Sequence, residues 1–384
     1  MYRITGILLI IFIGSGLIAP EPDVRFRRYF VAAESYESVA VFDVDRNDTL
    51  DIVSGDFWYE GPRFWRRHLI GNQIRQDQYY DDFSTIPMDV NGDGRLDFVT
   101  GGWFGQTLRW LENPGKNVRW PSHDIAKVGN VETVRAWDVD GDGTLEVVSN
   151  NPGHSLKYLK LMAGRDTANR FQTVVVAPTQ DHGLGFGDIN GDGRGDFIVS
   201  KGWLEAPVDR AARNANAGPW TLHPEFNLGT ASVPIVVTDV NGDKLNDLIV
   251  GQGHGYGLHW YEQTRDGSGK RGWTKHLIDD KNSQYHCLEW VDITGDGRPE
   301  LLTGKRFRAH NDGDPGSDDP VGLYYFTWDN ARKQFVKHNI AYGPAGVGKG
   351  TGIYFAVADL RKTGRNDIVV AGKDGLTVFF NEEK

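Results

Sequence analysis

Seven short acidic runs, returning roughly every fifty residues, hold the side chains of this chain best suited to bind an ion. Each follows the pattern Asp-x-(Asp/Asn)-x-(Asp/Asn)-Gly-x-x-(Asp/Glu), and they begin at Asp43, Asp89, Asp138, Asp188, Asp239, Asp292 and Asp359. Oxygen-bearing side chains at alternate positions of a tight loop point at one centre, and Ca2+ takes six to eight such oxygens. Glycine at the sixth position supplies a left-handed turn. The second run (Asp89, Asn91, Asp93, Asp97), the third (Asp138, Asp140, Asp142, Glu146) and the fourth (Asp188, Asn190, Asp192, Asp196) are full sets, expected to hold structural calcium. The fifth (Asp239, Asn241, Asp243, Asp247) keeps its oxygens with Lys244 in place of glycine. The first has Asp48 there, and the sixth has Thr294 in place of a carboxylate. The seventh has Arg361 and Thr363 where ligands belong, so no ion is expected in it. The competing use of these residues is plain turn formation, with Asp and Asn bonded to backbone amides.

A second set of residues emerges by counting six positions back from each leading Asp. These are Glu37, Phe83, Glu132, His182, Val233, His286 and Ile353. Imidazole and carboxylate together suit Zn2+ or another transition metal better than Ca2+, and a catalytic centre leaves one position open. We therefore expect His182, His286 and Glu132 to share a metal. His154 and His254 stand at equivalent places in two later loops and are the expected proton carriers. The competing reading makes each histidine a hydrogen-bonded structural residue.

The elements that must position these groups are strands. Every acidic run leads into an apolar segment such as Ile52-Val53 or Leu248-Ile249-Val250, and three further apolar segments recur around it. In the second repeat they are 84–88, 96–100, 108–112 and 120–125, with Leu108-x-Trp110-x-Glu112 in the third. Four short strands per repeat make a propeller blade. The expected fold is all-β, a seven-bladed β-propeller of four-stranded antiparallel blades spanning 24–384. The seventh repeat lacks its fourth strand, which 26–31 would supply by pairing with 376–380, closing the ring and removing an exposed edge.

In such blades the turns joining strands one to two and three to four share one face. The acidic loops then occupy the bottom, while the ring of Glu and His lies at the axial mouth of the top. Two long insertions, 204–218 and 306–321, are expected on the top face too. The second contains His310, Asp312, Asp314, Asp318 and Asp319, suited to binding an ion or to forming a solvated acidic loop, with the second use preferred. Trp58, Trp103 and Trp203 sit at matching positions, suited to stacking on a sugar ring or to packing against the next blade.

The repeat resembles the FG-GAP or VCBS repeats of integrin-alpha-type seven-bladed propellers. That resemblance implies the fold and several structural Ca2+ ions. It does not imply one function, since such propellers include adhesion modules, binding scaffolds and lyases. Having histidines at the mouth of a propeller, the chain is also similar to the propeller domain of aldos-2-ulose dehydratase. This second resemblance implies a metal-dependent carbon–oxygen lyase acting on a keto-sugar. The metal maps onto His182, His286 and Glu132, with His254 or His154 moving the proton. The alternative is a non-catalytic module that binds glycan or another protein.

Bulk properties narrow the setting. Residues 4–19 are apolar behind Arg3, so 1–20 reads as a signal peptide or an uncleaved N-terminal anchor, and the protein is expected to be exported. Membrane contact is expected only through that segment. Cys287 is the sole cysteine, which leaves no intrachain disulfide. A formal net charge of −10 argues against nucleic acid as a partner. The segment 343–349 mimics a phosphate loop, but Gly350 stands where Ser or Thr is required.

Overall fold

A computed structural model describes residues 24–164, 170–216 and 218–382. The N-terminal segment 1–20 lies outside the described residues. Seven four-stranded antiparallel sheets form the blades, with a two-stranded hairpin, Arg75–Gln76 and Tyr79–Tyr80, as the only extra sheet among the described residues. Blade two shows the pattern: Ile86–Met88, Asp97–Gly101, Thr107–Leu111 and Ser122–Lys127, each paired with the next. The ring closes as expected, with Arg25–Ala32 antiparallel to Leu376–Glu382. Among the described residues no helix is long and apolar enough to cross a membrane.

The second strand of each blade is a short apolar run buried on both faces, as in Asp51–Ser54 and Asp247–Gly251, because adjacent blades cover it from either side. Toward the rim, a third-strand aromatic stacks on a fourth-strand histidine. Trp58–His68, Trp110–His123, Trp203–His223, Trp260–His276 and Tyr325–His338 lie 4.1 to 4.5 Å apart, centroid to centroid. In four blades the imidazole also meets the glutamate two residues after the tryptophan: Glu60, Glu112, Glu205 or Glu262. Trp58 and Trp203 are thus buried and stacked within their blades, so of the two expected uses packing is the one they serve.

At the bottom, the sixth loop position is left-handed in every blade, whether it is Gly94 (φ 81°), Gly143 (φ 86°), Asp48 (φ 64°) or Lys244 (φ 70°). A non-glycine residue there costs about 1–2 kcal/mol, so the turn is enforced by its surroundings. The leading Asp does much of that enforcing. Asp89 accepts from the amides of Gly92, Asp93 and Gly94, and Asp188 repeats the pattern with Gly191, Asp192 and Gly193.

One insertion is on the other face from that expected. Strands two and three of blade four, Asp196–Val199 and Gly202–Glu205, are joined by a tight turn, so the long segment that follows connects strands three and four. It therefore runs along the bottom and carries the short helix Arg210–Asn214. The insertion after Glu300–Gly304 does rise on the top, as expected.

Candidate metal centre

Three blades deliver their axial residues to one point. Glu132, His182 and His286 each stand at the entry to an innermost strand: Thr133–Trp137, Leu184–Gly187 and Leu288–Val291. Blade five adds His254 from the turn between Asp247–Gly251 and Tyr256–Arg265. One ligand atom from each of the four lies within 4.8 Å of every other. His286 Nε2 is 2.9 Å and His182 Nε2 3.4 Å from Glu132 Oε1, and His254 Nε2 is 4.0 Å from it. His254 Nε2 is 2.8 Å from His182 Nε2. A Cβ added to Gly253 would sit 3.1 Å from the His182 ring and 3.3 Å from that of His286, so glycine there lets the backbone close against the cluster.

The tautomers follow from the other ring nitrogens. His182 Nδ1 is 2.8 Å from the Ala231 carbonyl, which only accepts, so Nδ1 carries the proton. His254 Nδ1 is 3.1 Å from Asp314 Oδ2, again an acceptor. Both Nε2 lone pairs therefore face each other and Glu132. Carboxylate or carbonyl support behind an imidazole is the usual outer layer of a metal site. His286 Nδ1 is buried with no hydrogen-bond partner among the described residues. Burial pushes His286 down to about 3 and His254 down to about 4, which keeps both rings neutral and able to donate a lone pair. Burial alone would raise Glu132, but the charge interaction with the His182 ring beside it and the hydrogen bond from His286 Nε2 hold it well below the usual range. Tetrahedral ligands at ~2.1 Å from a metal lie about 3.4 Å apart, close to the separations found, so the donor set fits a borderline transition metal.

A cationic layer lies beside the cluster. Arg306 Nε donates to Glu37 Oε1 at 2.9 Å, and Lys373 Nζ is 3.4 Å from Glu37 Oε2. All three side chains are buried, and Glu37, unlike the other polar ring members, joins this pair and not the histidines. A cavity of about 370 Å³ opens above, lined by Tyr79, Phe83, Trp103, Phe104, Arg306 and His310 among others. Its roof is shared across the axis: Gln78 Nε2 donates to Asn311 Oδ1 at 2.6 Å, and the Asn311 amide donates to Tyr79 Oη at 3.3 Å. The 306–321 insertion is therefore no mere solvated loop. Arg308, His310, Asn311 and Asp312 are all left-handed, a strained run held from below by Lys373, which donates to the Arg308 carbonyl at 2.7 Å. His310 stacks on His254 at 4.3 Å, with its Nδ1 2.9 Å from Asp314 Oδ1.

Of the two expected proton carriers, His254 joins the donor cluster and His154 does not. His154 is exposed and lies over Gly129, where an added Cβ would meet its ring at 2.5 Å. Phe83, Val233 and Ile353 of the same ring are buried apolar residues. Sequence reasoning missed Arg306, Tyr79 and Lys373, and it placed His310 in the insertion without bringing it to the axial cluster. Lys349 of the phosphate-loop mimic is buried and bonded to Asp374 and the Gly350 carbonyl, leaving nothing for a phosphate.

The bottom loops divide. Asp97, Asp196 and Asp247 place each carboxylate oxygen on a backbone amide, joining Val90, Ile189 or Val240 to Asn113, Ala206 or Gln263. Burial pushes these three carboxyls up to about 6, 7 and 6. Asp89, Asn91, Asp93, Asp188, Asn190, Asp192, Asp239, Asn241 and Asp243 ring partly exposed loops in blades two, four and five, where Arg95 lies 3.4 Å from Asp93 Oδ2 and Arg194 2.5 Å from Asp192 Oδ2. In blade three, Lys160 reaches among Asp140, Asp142 and Glu146.

Residues 89–149 and 239–303 match the model of the FG-GAP-like repeat. The chain carries FG-GAP-like repeats. No curated protein matches the chain by sequence. Among solved structures, that of BBS1N in complex with ARL6DN is similar over 93% of this chain and 96% of its own, with a TM-score of 0.52 and 11% identity. Rhamnogalacturonan lyase PL11 of Bacillus licheniformis is similar over 92% of this chain and 72% of its own, with a TM-score of 0.45 and 12% identity. At 11% identity the likeness to BBS1N is one of fold alone.

Proposed function

We propose that the axial mouth of the top face is a transition-metal site at which a keto-sugar loses water, making the protein a carbon–oxygen lyase. The observation that carries this reading is the convergence of Glu132 Oε1 with the Nε2 atoms of His182, His254 and His286 under a roofed cavity. Bound there, Zn2+ or a similar ion would supply Lewis acidity toward a ketone oxygen. The chain's own residues do the rest. His310, held by Asp314 through Nδ1, takes the proton from the carbon beside the ketone at its free Nε2. The C–H electrons form the new double bond, the hydroxyl on the next carbon leaves, and the same proton departs with it as water. Tyr79, Phe104 and Trp103 offer ring faces to a sugar.

Structural Ca2+ in the loops of blades two, four and five belongs to the same proposal, and so does an exported setting drawn from residues 1–20. Metal analysis after gentle calcium removal tests the centre. One retained transition-metal ion per chain is expected, lost in the His182→Ala/His286→Ala variant. Protein purified without chelators that holds no such ion sinks the reading. His310→Ala should retain the metal and lose turnover, measured as ultraviolet absorbance of the unsaturated ketone. The second reading, a non-catalytic glycan- or protein-binding module, is favoured by the aromatic lining, and saturable sugar binding without turnover would select it.

A further inference from the structure

We propose that blade three carries its own cation, the Lys160 ammonium, and binds no calcium although its loop reads as a full ligand set. Lys160 Nζ contacts Asp140 Oδ2, lies 2.5 Å from Asp142 Oδ2 and is 3.4 Å from Glu146 Oε1. The Asp140 and Glu146 side chains are 0% and 1% exposed, so the ammonium sits at the inner end of the loop and not on its rim. An ion at 2.3–2.6 Å from these oxygens would need the volume that Nζ fills.

Two further groups complete the substitution from the neighbouring blade. Asn214 Nδ2 donates to Asp140 Oδ2 at 2.6 Å, and Arg210 Nη2 is 3.3 Å from Asp142 Oδ2. Both come from the bottom-face insertion of blade four, and through them that displaced segment covers the loop of blade three.

The other blades show what Lys160 replaces. At the equivalent third-strand position blades two and five have Glu112 and Glu262, which accept from Asn91 Nδ2 at 3.3 Å and Asn241 Nδ2 at 3.0 Å. Each glutamate thereby turns the amide oxygen of the loop inward, toward an ion. Blade three reverses both partners, with Asp140 for Asn and Lys160 for Glu. A neutral ligand backed by an anion has become an anionic ligand backed by a cation. Blade seven uses the same device from within the loop, where Arg361 Nη2 lies 3.1 Å from Asp367 Oδ1.

Counting calcium ions per full-length chain tests the assignment. The Asp138→Asn/Asp140→Asn change should leave the wild-type count unaltered, and Lys160→Gln should raise it by one. A wild-type chain that loses one ion on the aspartate change overturns the proposal, as does a Lys160→Gln chain that gains none. Thermal melting in EDTA supplies an independent arm: Lys160→Gln should melt several degrees below wild type and recover on adding calcium. Equal melting in EDTA overturns the assignment as well. A wild-type count of zero would remove only the calcium proposed for blades two, four and five, and the melting arm would still decide the fate of Lys160.

Discussion

His182 and His254 meet Nε2 to Nε2 at 2.8 Å, and each has already committed its Nδ1, to the Ala231 carbonyl and the Asp314 carboxylate respectively. Two acceptor lone pairs at hydrogen-bond distance repel unless a cation lies between them. A shared proton or a metal ion answers that demand, and Glu132 and His286 supply the further donors that favour the metal.

Asp314 then acts through His254. Asp314→Asn removes the charge that fixes the ring while keeping its shape, so metal affinity should fall about 10–100-fold with little change in folding. Competition against a graded series of chelators measures this. Unchanged affinity would show that Asp314 does not position the ligand.

Glu37 is the anion on which two buried cations depend. Its carboxyl and the Arg306 guanidinium are 3% and 2% exposed. Glu37→Gln should cost about 3 kcal/mol in chemical denaturation, because it leaves the buried Arg306 with only the more distant Glu132 carboxylate, 3.9 Å away. A loss below about 1 kcal/mol would mean that water or substrate-site anions already compensate Arg306.

Calcium removal should lower the melting temperature, since the leading aspartates of blades two, four and five would be left as clustered charge. Asp188→Ala should reproduce part of that fall and blunt the response to EDTA. Chelation without any change in melting refutes the structural role.

Lys373 gives a pH signature. Burial depresses its ammonium to about 8, below the 10.5 of a free lysine. Between those values the unfolded chain binds more protons than the folded one, so this residue's contribution to stability rises with pH across the window and is flat below it. The difference in melting temperature between wild type and Lys373→Met should follow that course. A flat difference from pH 8 to 10.5 would contradict it.

Much of the fold was legible because it is local and periodic. Alternating oxygens, a left-handed sixth residue and a following apolar run recur within each repeat, so blade count, strand order and ring closure could be counted. The axial trio was legible for the same reason: Glu132, His182 and His286 stand at one offset from three repeats, and ring symmetry turns equal offset into equal height. His154 and His254 also occupy like positions, yet only one turns inward, since that choice depends on neighbours such as Gly129 and Asp314 that no period encodes.

By itself the sequence determined a seven-fold ring with acidic loops on one face and a polar ring on the other, because hydrogen-bonded strands and tight turns are specified by near neighbours. Only the tertiary structure decided the rest. Which faces the insertions take, how 306–321 meets the hairpin of 75–80 across the axis, and whether an acidic loop faces solvent or a lysine all depend on contacts between distant repeats. Those contacts are set by packing and charge balance in three dimensions, where Lys160 fills a loop that reads as a calcium site.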